Sequence, residues 1–461
     1  EHVYVQRFSI GVPLFEPEMV HHIEQASIGS NSAGPSLRGC PSWLWEEACR
    51  HRRRAGSPHT AGNRGDSVAT KRLRDSQQWH TLGTPDAVFQ GASLVIEDGS
   101  IARIGEGRHT IGARRINANG QLLVPGFIDL HSDALEKYIE PRPGSVFPMD
   151  SAMVEFDKTL SACGVTTIFH CIAFVFQEAR DRSLRTNDMA DHILKKLIEL
   201  RPWLRTRTKT HLRFDILNLT ALPLLKAYAR QGHADLLSFM DHTPGQGQYR
   251  DTDVYRRRMI KHYGWSRDRI TRLIDDRRRV RESLADSELF SLSQLYHEHD
   301  IPLASHDDDG PQKVAWARRL HATISEFPVC IEAFDAAKRA GMWTVFGAPN
   351  VLRGHSQSGN MSASELFTSR KGEILASDYA PMSMLHAVFK MSRQSNIALN
   401  EAIKWITLNP AKAMGLDHKL GSIEEGKRAD LVLVNSTARV PHVTMTMAGG
   451  KVTYRTNPDA V

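Results

Sequence analysis

His131 and Asp133 lie two residues apart in Pro125-Gly126-Phe127-Ile128-Asp129-Leu130-His131-Ser132-Asp133, and both carry side chains that hold cations. A short apolar run behind a Pro-Gly breaker reads as a strand, and residues two apart on a strand point to the same side. An imidazole nitrogen and a carboxylate oxygen aimed at one point form a ligand pair for a divalent cation. One His-x-Asp is a weak signal, because such residues are common on surfaces. Three more apolar runs end the same way. Residues 236–240 lead into Asp241-His242, 302–305 into His306-Asp307-Asp308-Asp309, and 374–377 into Asp378. The recurrence makes the pair one corner of an expected metal centre.

The elements that must position these residues follow a pattern. Short β-rich runs at 127–130, 166–171, 212–217, 236–240, 302–305, 323–326, 343–346 and 374–377 alternate with helical stretches, which include 188–200, 286–299, 331–340 and 399–413. Such alternation implies parallel strands covered by helices. Eight runs fit an α/β (β/α)8 TIM-type barrel, open to distortion, whose chemistry lies at the C-terminal strand ends. Residues 92–97 alternate toward Asp98-Gly99 and 101–104 follow, which reads as a hairpin. A similar pattern around Gly449-Gly450 closes the chain. Segments 81–124 and 416–455 are therefore expected to form one small β-sandwich bracketing a barrel at 125–415. Residues 1–80 are basic and loop-rich, with weak periodicity, and suggest no fold.

Composition narrows the class. The chain has 461 residues, a net charge of +7, 41% hydrophobic and 24% charged residues, which reads as a globular protein. The longest nearly apolar run, 165–176, is interrupted and too short to span a bilayer. Cys40, Cys49, Cys163, Cys171 and Cys330 are odd in number and form no Cys-x-x-Cys. Reduced thiols and, with no secretory signal in view, a cytoplasmic location are the expectation. The basic runs at 50–74 and 250–281 read as salt-bridged, solvated faces. No nucleic-acid motif is present, so the charge suits a phosphorylated small molecule better than a nucleic acid.

The segments PGFIDLHSD, LEKYIEPRPG, MDHTPGQGQY, ASHDDDGP, SEFPV, TVFGAPNVLRG, SGN and SDYAP, in register over about 82–455, resemble the amidohydrolase superfamily. The resemblance is to its triphosphate-diphosphatase branch, found in carbon–phosphorus lyase operons of phosphonate catabolism. It implies two divalent metal ions (Zn, Mn, Fe or Co) held by His131, Asp133, His242, His306 and Asp378, with a bridging carboxylate from Asp215 or Glu136. It places Ala134, Tyr138 and Gln357 at substrate-side positions where relatives carry Asn, His and His, and offers His355 as a replacement imidazole. The superfamily's ligands fall on strands one, four, five, six and eight. The count here differs, so either a further strand lies between 181 and 207 or one of the eight lies outside the barrel.

The implied reaction is hydrolysis of a ribose 5-triphosphate between the α and β phosphorus, with Asp378 accepting the proton. Spread negative charge in a phosphoryl transition state calls for cationic clamps. Lys137, Arg142, Arg213, Arg250 and Arg353 are the candidates, with backbone N–H groups of Thr243-Pro244-Gly245-Gln246-Gly247. The partner implied is a phosphorylated ribose; no membrane and no nucleic acid are expected, and homo-oligomerisation stays open. The competing readings are another amidohydrolase reaction (cyclic amide hydrolysis or base deamination) and an inactive scaffold barrel.

Overall fold

A computed structural model describes residues 3–6, 81–84, 87–89, 92–105, 114–175, 183–247, 250–356 and 361–456. Residues 7–80, with Cys40, Cys49 and the basic run at 50–74, lie outside the described residues, as does Gln357. Among the described residues no helix is long and apolar enough to cross a membrane.

Eight parallel strands stand in sequence order: β1 Phe127–Ser132, β2 Val165–Phe174, β3 Arg207–Asp215, β4 Leu236–Met240, β5 Leu303–His306, β6 Ile324–Glu326, β7 Trp343–Gly347 and β8 Ile374–Ala376. Together with the helices between them they form the expected (β/α)8 barrel. The seam between β8 and β1 is closed at its top by main chain. Asp378 N–H donates to His131 O (2.9 Å) and Asp133 N–H donates to Asp378 O (3.0 Å). Three residues singled out for their chemistry thus meet at the closure itself.

The barrel is a packed core rather than a pore. Ile128, Leu130, Phe169, Leu236, Ala304, Ile324, Val345 and Ile374 fill it, and Ala411 and Leu420 pack against them. Each large aliphatic side chain so buried contributes roughly 1.5–3 kcal/mol. Polar side chains therefore collect above this plug, at the C-terminal mouth.

Two glycines set the entry into β1. A Cβ on Gly126 would lie 2.2 Å from Thr166 Oγ1, so only glycine lets the chain turn from strand Leu122–Pro125 into the barrel. Gly164, at φ +85°, faces the Phe127 ring, which a Cβ there would meet at 2.6 Å.

Three expectations need correction. No strand lies between 181 and 207 among the described residues, where Asn187–Leu200 is a helix, and all eight expected runs are barrel strands. Third-strand pairing begins at Arg207, because Arg207 to Phe214 stand beside Thr167 to Phe174. The helix expected over 399–413 is two, Leu399–Lys404 and Leu408–Ala413. Between them the Trp405 and Ile406 carbonyls accept from Leu375 N–H (2.9 Å) and Ile128 N–H (2.9 Å), so the break supplies acceptors to β8 and β1.

Beside the barrel, Leu122–Pro125 pairs with Leu431–Asn435, and His442–Ala448 and Lys451–Arg455 extend that sheet. A second sheet joins Ser93–Glu97 to Ser100–Gly105 through Asp98-Gly99, both at positive φ. Val3–Gln6 adds to it between Ser93–Glu97 and Arg114–Asn117. Leu94, Ile96, Ile101, Leu123, Leu431 and Met447 share one core between the two sheets.

Candidate metal centre

His131, His306 and Glu326, from the ends of β1, β5 and β6, offer donor atoms within 4.8 Å of one another, all buried. His131 Nδ1 lies 2.8 Å from Glu326 Oε1. Donation to this carboxylate puts the proton on Nδ1 and leaves the Nε2 lone pair free, the form that ligates a cation. His306 Nδ1 lies 3.0 Å from Asp307 Oδ2, and its Nε2 faces the Arg213 guanidinium at 3.0 Å. The Phe327 ring stands edge-on to both imidazoles, with centroids 4.8 Å from His131 and 5.2 Å from His306. Phe327, Asp307 and Asp378 each follow a barrel strand with φ of 53°, 55° and 55°. Left-handed backbone at non-glycine residues is strained, and here it turns three strand ends inward around one point.

Burial sets the electrostatics of the mouth. It holds His131 well below the usual imidazole range, with Arg213 and His306 adding to the effect, so the ring is neutral. Burial raises the Asp378 carboxyl to about 7, and the neighbouring Asp133 pushes it the same way. Asp129, raised to about 6 by burial, accepts from Ser377 N–H (2.9 Å) and His131 N–H (3.3 Å) and so ties β8 to β1. Burial opposes ionisation of Asp307, but His306, His242 and Lys313 together outweigh it and hold that carboxyl at about 2.

Glu326 Oε2 is buried and receives no hydrogen bond. A carboxylate oxygen left bare away from water is costly, and a cation is its natural partner. The imidazoles of His131 and His306 beside it complete a donor set suited to Zn, Fe, Co or Mn. The residues present fit a divalent metal ion.

The sequence-predicted residues fall into three groups. His131, His306 and Asp378 stand at the mouth, and Asp133 joins them through the main chain of Asp378. Asp215 and His242 pair with each other, Oδ2 to Nδ1 at 3.1 Å. Glu136 faces a cation of the protein itself: Arg185 donates to both its oxygens at 2.7–3.0 Å. Arg185 Nη2 also lies 3.6 Å from Asp133 Oδ2.

Asp133, Glu136, Lys137, Arg185, Arg353 and Tyr379 line a cavity of about 510 Å3. Lys137 stands over the Tyr379 ring at 4.6 Å and Arg353 Nη1 donates to the Tyr379 hydroxyl (3.3 Å). Arg213 is buried with Nη2 3.0 Å from His306 Nε2. Arg142 is exposed in a turn with Ser145, and Arg250 is exposed. Gly247 N–H donates to Asp309 Oδ2 (2.7 Å), so this amide of the Pro-Gly turn is taken. Arg278 and Arg281 brace the same loop through Pro244 O and Asp241 Oδ2, which gives part of the 250–281 run a structural duty. Tyr138 turns its hydroxyl to Thr159 (2.8 Å) and its ring to Phe156, Ala134 is buried, and His355 is exposed beside Arg353.

Sequence reasoning missed Glu326 and Arg185. Ser325-Glu326-Phe327 closes an apolar run as the other ligand-bearing ends do, and that signal could have found Glu326.

A parallel barrel with an imidazole–carboxylate cluster at its C-terminal mouth defines a barrel enzyme of the metal-centre type. The chain belongs to the amidohydrolase family, whose model matches residues 283–453. Over 363 residues it is 34% identical to alpha-D-ribose 1-methylphosphonate 5-triphosphate diphosphatase of Escherichia coli (strain K12), covering 78% of this chain and 95% of that protein. Among solved structures it is similar to dihydropyrimidinase from Brevibacillus agri NCHU1002 (TM-score 0.55, 15% identity, 82% of this chain and 94% of that one). It also resembles N-acetylglucosamine-6-phosphate deacetylase from Pasteurella multocida (TM-score 0.54, 14% identity, 81% and 97%). At such identities these two structures speak for the fold alone.

Proposed function

We propose that this chain is a metal-dependent hydrolase of a phosphoric anhydride. Its substrate is alpha-D-ribose 1-methylphosphonate 5-triphosphate, cleaved to the 5-phosphate and pyrophosphate in phosphonate catabolism. The observation that carries the reading is the cavity of about 510 Å3 in which Lys137, Arg185 and Arg353 stand around Asp133, itself beside the imidazole–carboxylate cluster. A cyclic amide or a nucleobase has no use for three cations; a triphosphate does. The 34% identity to the Escherichia coli diphosphatase supports the same class.

His131, His306 and Glu326 would hold a divalent ion, with Asp133 and Asp378 beside it and Asp215 with His242 across the mouth. Bound there, such an ion supplies a Lewis acid and brings the ionisation of a coordinated water near neutrality. Asp378 takes the proton of the attacking water as the new P–O bond forms and the α–β bridging bond breaks. Lys137, Arg185 and Arg353 neutralise the charge that gathers on the phosphoryl oxygens and on the leaving pyrophosphate. Tyr379, in contact with both Lys137 and Arg353, fixes their positions.

The test is product identity. Protein loaded with zinc or manganese and given a ribose 5-triphosphate should release pyrophosphate. Ammonia from a base, or opening of a cyclic amide, without pyrophosphate would place the chain in a different amidohydrolase reaction.

A further inference from the structure

Two helices, Thr252–Tyr263 and Arg267–Ser283, follow the C-terminal end of β4 and form a hairpin that turns at Gly264, whose φ is +63°. The hairpin has a small core of its own, in which Tyr255, Met259, Ile270 and Ile274 are buried and Trp265 and Leu273 pack against them. Its charge is one-sided. Residues 252–283 hold eleven Lys and Arg against five Asp and Glu, a net +6 in a chain whose whole net charge is +7.

Three of these cations fasten the hairpin to the barrel mouth. Arg277 Nη1 donates to His242 O (3.4 Å), Arg278 Nε to Pro244 O (3.4 Å) and Arg281 Nε to Asp241 Oδ2 (3.2 Å). The charge is thereby held beside the loop that carries His242. Ion pairs inside the hairpin occupy two more, Arg256 with Asp253 (2.8 Å) and Arg279 with Asp276 (2.6 Å). Arg257, Lys261, Arg267 and Arg272 are exposed and make no ion pair or side-chain hydrogen bond with a described residue. Helix stability does not account for them. Arg257 and Lys261 stand four apart on the first helix, and Arg269 and Arg272 three apart on the second, spacings at which like charges repel. Arg267 opens its helix, where the macrodipole favours an acid. This charge works against local folding, and it stands at the face of the barrel where a substrate enters.

We propose that the hairpin 252–283 is an electrostatic funnel that draws a polyanionic substrate, a sugar triphosphate, to the mouth without touching the reacting atoms. The inference rests on the phosphoric-anhydride reading above. A field of one sign beside a cleft raises the local concentration of an oppositely charged ligand and speeds its encounter. Arg257, Lys261, Arg267 and Arg272 act at long range, whereas Lys137, Arg185 and Arg353 meet the phosphates in the cavity. A neutral cyclic amide would gain nothing from such a field.

The experiment is steady-state turnover of a ribose 5-triphosphate by the metal-loaded full-length protein over a salt series. The wild type is compared with a variant that combines Arg257→Gln, Lys261→Gln, Arg267→Gln and Arg272→Gln. The Debye length is about 30 Å at roughly 10 mM salt and about 3 Å at roughly 1 M, so the field acts at one end of the series and is screened at the other. At low salt the variant is expected to lose kcat/KM by about tenfold, the lower end of the range for steering, with kcat unchanged. At high salt the two proteins are expected to turn over alike, which also shows that the variant is folded. Equal kcat/KM at low salt would overturn the proposal and leave the phosphoric-anhydride reading intact. A deficit undiminished at high salt would overturn it too, since contact rather than field would then be at work. No pyrophosphate from the wild type at any salt concentration would remove that reading and this proposal together. If the combined variant does not fold, the pairs changed separately, one per helix, decide the matter, each expected to show half the loss on a logarithmic scale.

Discussion

His131 and Glu326, 195 residues apart in the chain, meet across the barrel mouth through Nδ1 and Oε1 at 2.8 Å, with side chains only 2% and 0% exposed. The contact fixes the tautomer of His131 and presents its free nitrogen to the mouth. It also leaves the other carboxylate oxygen without a donor. Glu326→Gln keeps the volume and an oxygen for His131 but removes the charge. The variant should fold, and its metal affinity should fall roughly 10- to 100-fold, the range for losing a group that orients a ligand. Metal per chain after dialysis, by plasma mass spectrometry, reads this directly; an unchanged content would show that Glu326 serves packing alone.

Arg213 competes for the site it borders. Its Nη2 donates toward His306 Nε2 at 3.0 Å, the lone pair a cation needs. Arg213→Gln should therefore tighten metal binding by about tenfold, matching the 1–1.5 kcal/mol of one hydrogen bond. Competition with a chromophoric chelator measures the shift, and weaker binding would mean that Arg213 supports the ligands.

Arg353 is exposed and touches Tyr379 and His355 rather than the buried cluster. Arg353→Ala should raise KM for a triphosphate by roughly tenfold, in line with losing one charge-assisted contact, and leave metal content unchanged. Arg185→Met should raise KM as well and also disturb Glu136, whose two oxygens it now satisfies. A lower kcat with unchanged KM in both variants would argue against a polyanion in this cavity.

Acid stability gives a further check. His170 lies on the outer face of β2 with its ring 5.7 Å from that of Phe156, and burial, helped by Arg201, lowers it from 6.5 to about 3. Its folded value is below its unfolded one, so the unfolded chain takes up the proton first as pH falls. Stability from the neutral ring is complete above 6.5 and is lost progressively from there down to about 3. The slope approaches about 1.4 kcal/mol per pH unit. Urea midpoints measured from pH 7 to pH 4 should fall less steeply in His170→Gln than in the wild type, and equal slopes would contradict the assignment.

The barrel was legible because its strands are apolar runs set between Gly, Pro and charged turns, and their order in the chain is their order in space. Polar residues blurred the edges. The third run was expected to begin at 212, yet Arg207 to His211 already pair along β2, where Arg207 Nη1 reaches Thr167 Oγ1 and Asp430 Oδ2. His131, His306 and Asp378 were found because each directly follows its apolar run. Glu326 closes its apolar run as the other strand-end residues do, but its pairing with His131 shows only once the barrel closes. Arg185 was invisible for a similar reason: its partner Glu136 lies 49 residues away, and no local pattern joins them.

The most direct measurement is phosphorus NMR of the products formed from a ribose 5-triphosphate by the metal-loaded protein. The account predicts pyrophosphate and the 5-phosphate in equal amounts, abolished by chelation and restored by adding the metal back. Stepwise release of orthophosphate from the γ end, or turnover unaffected by chelation, would contradict it.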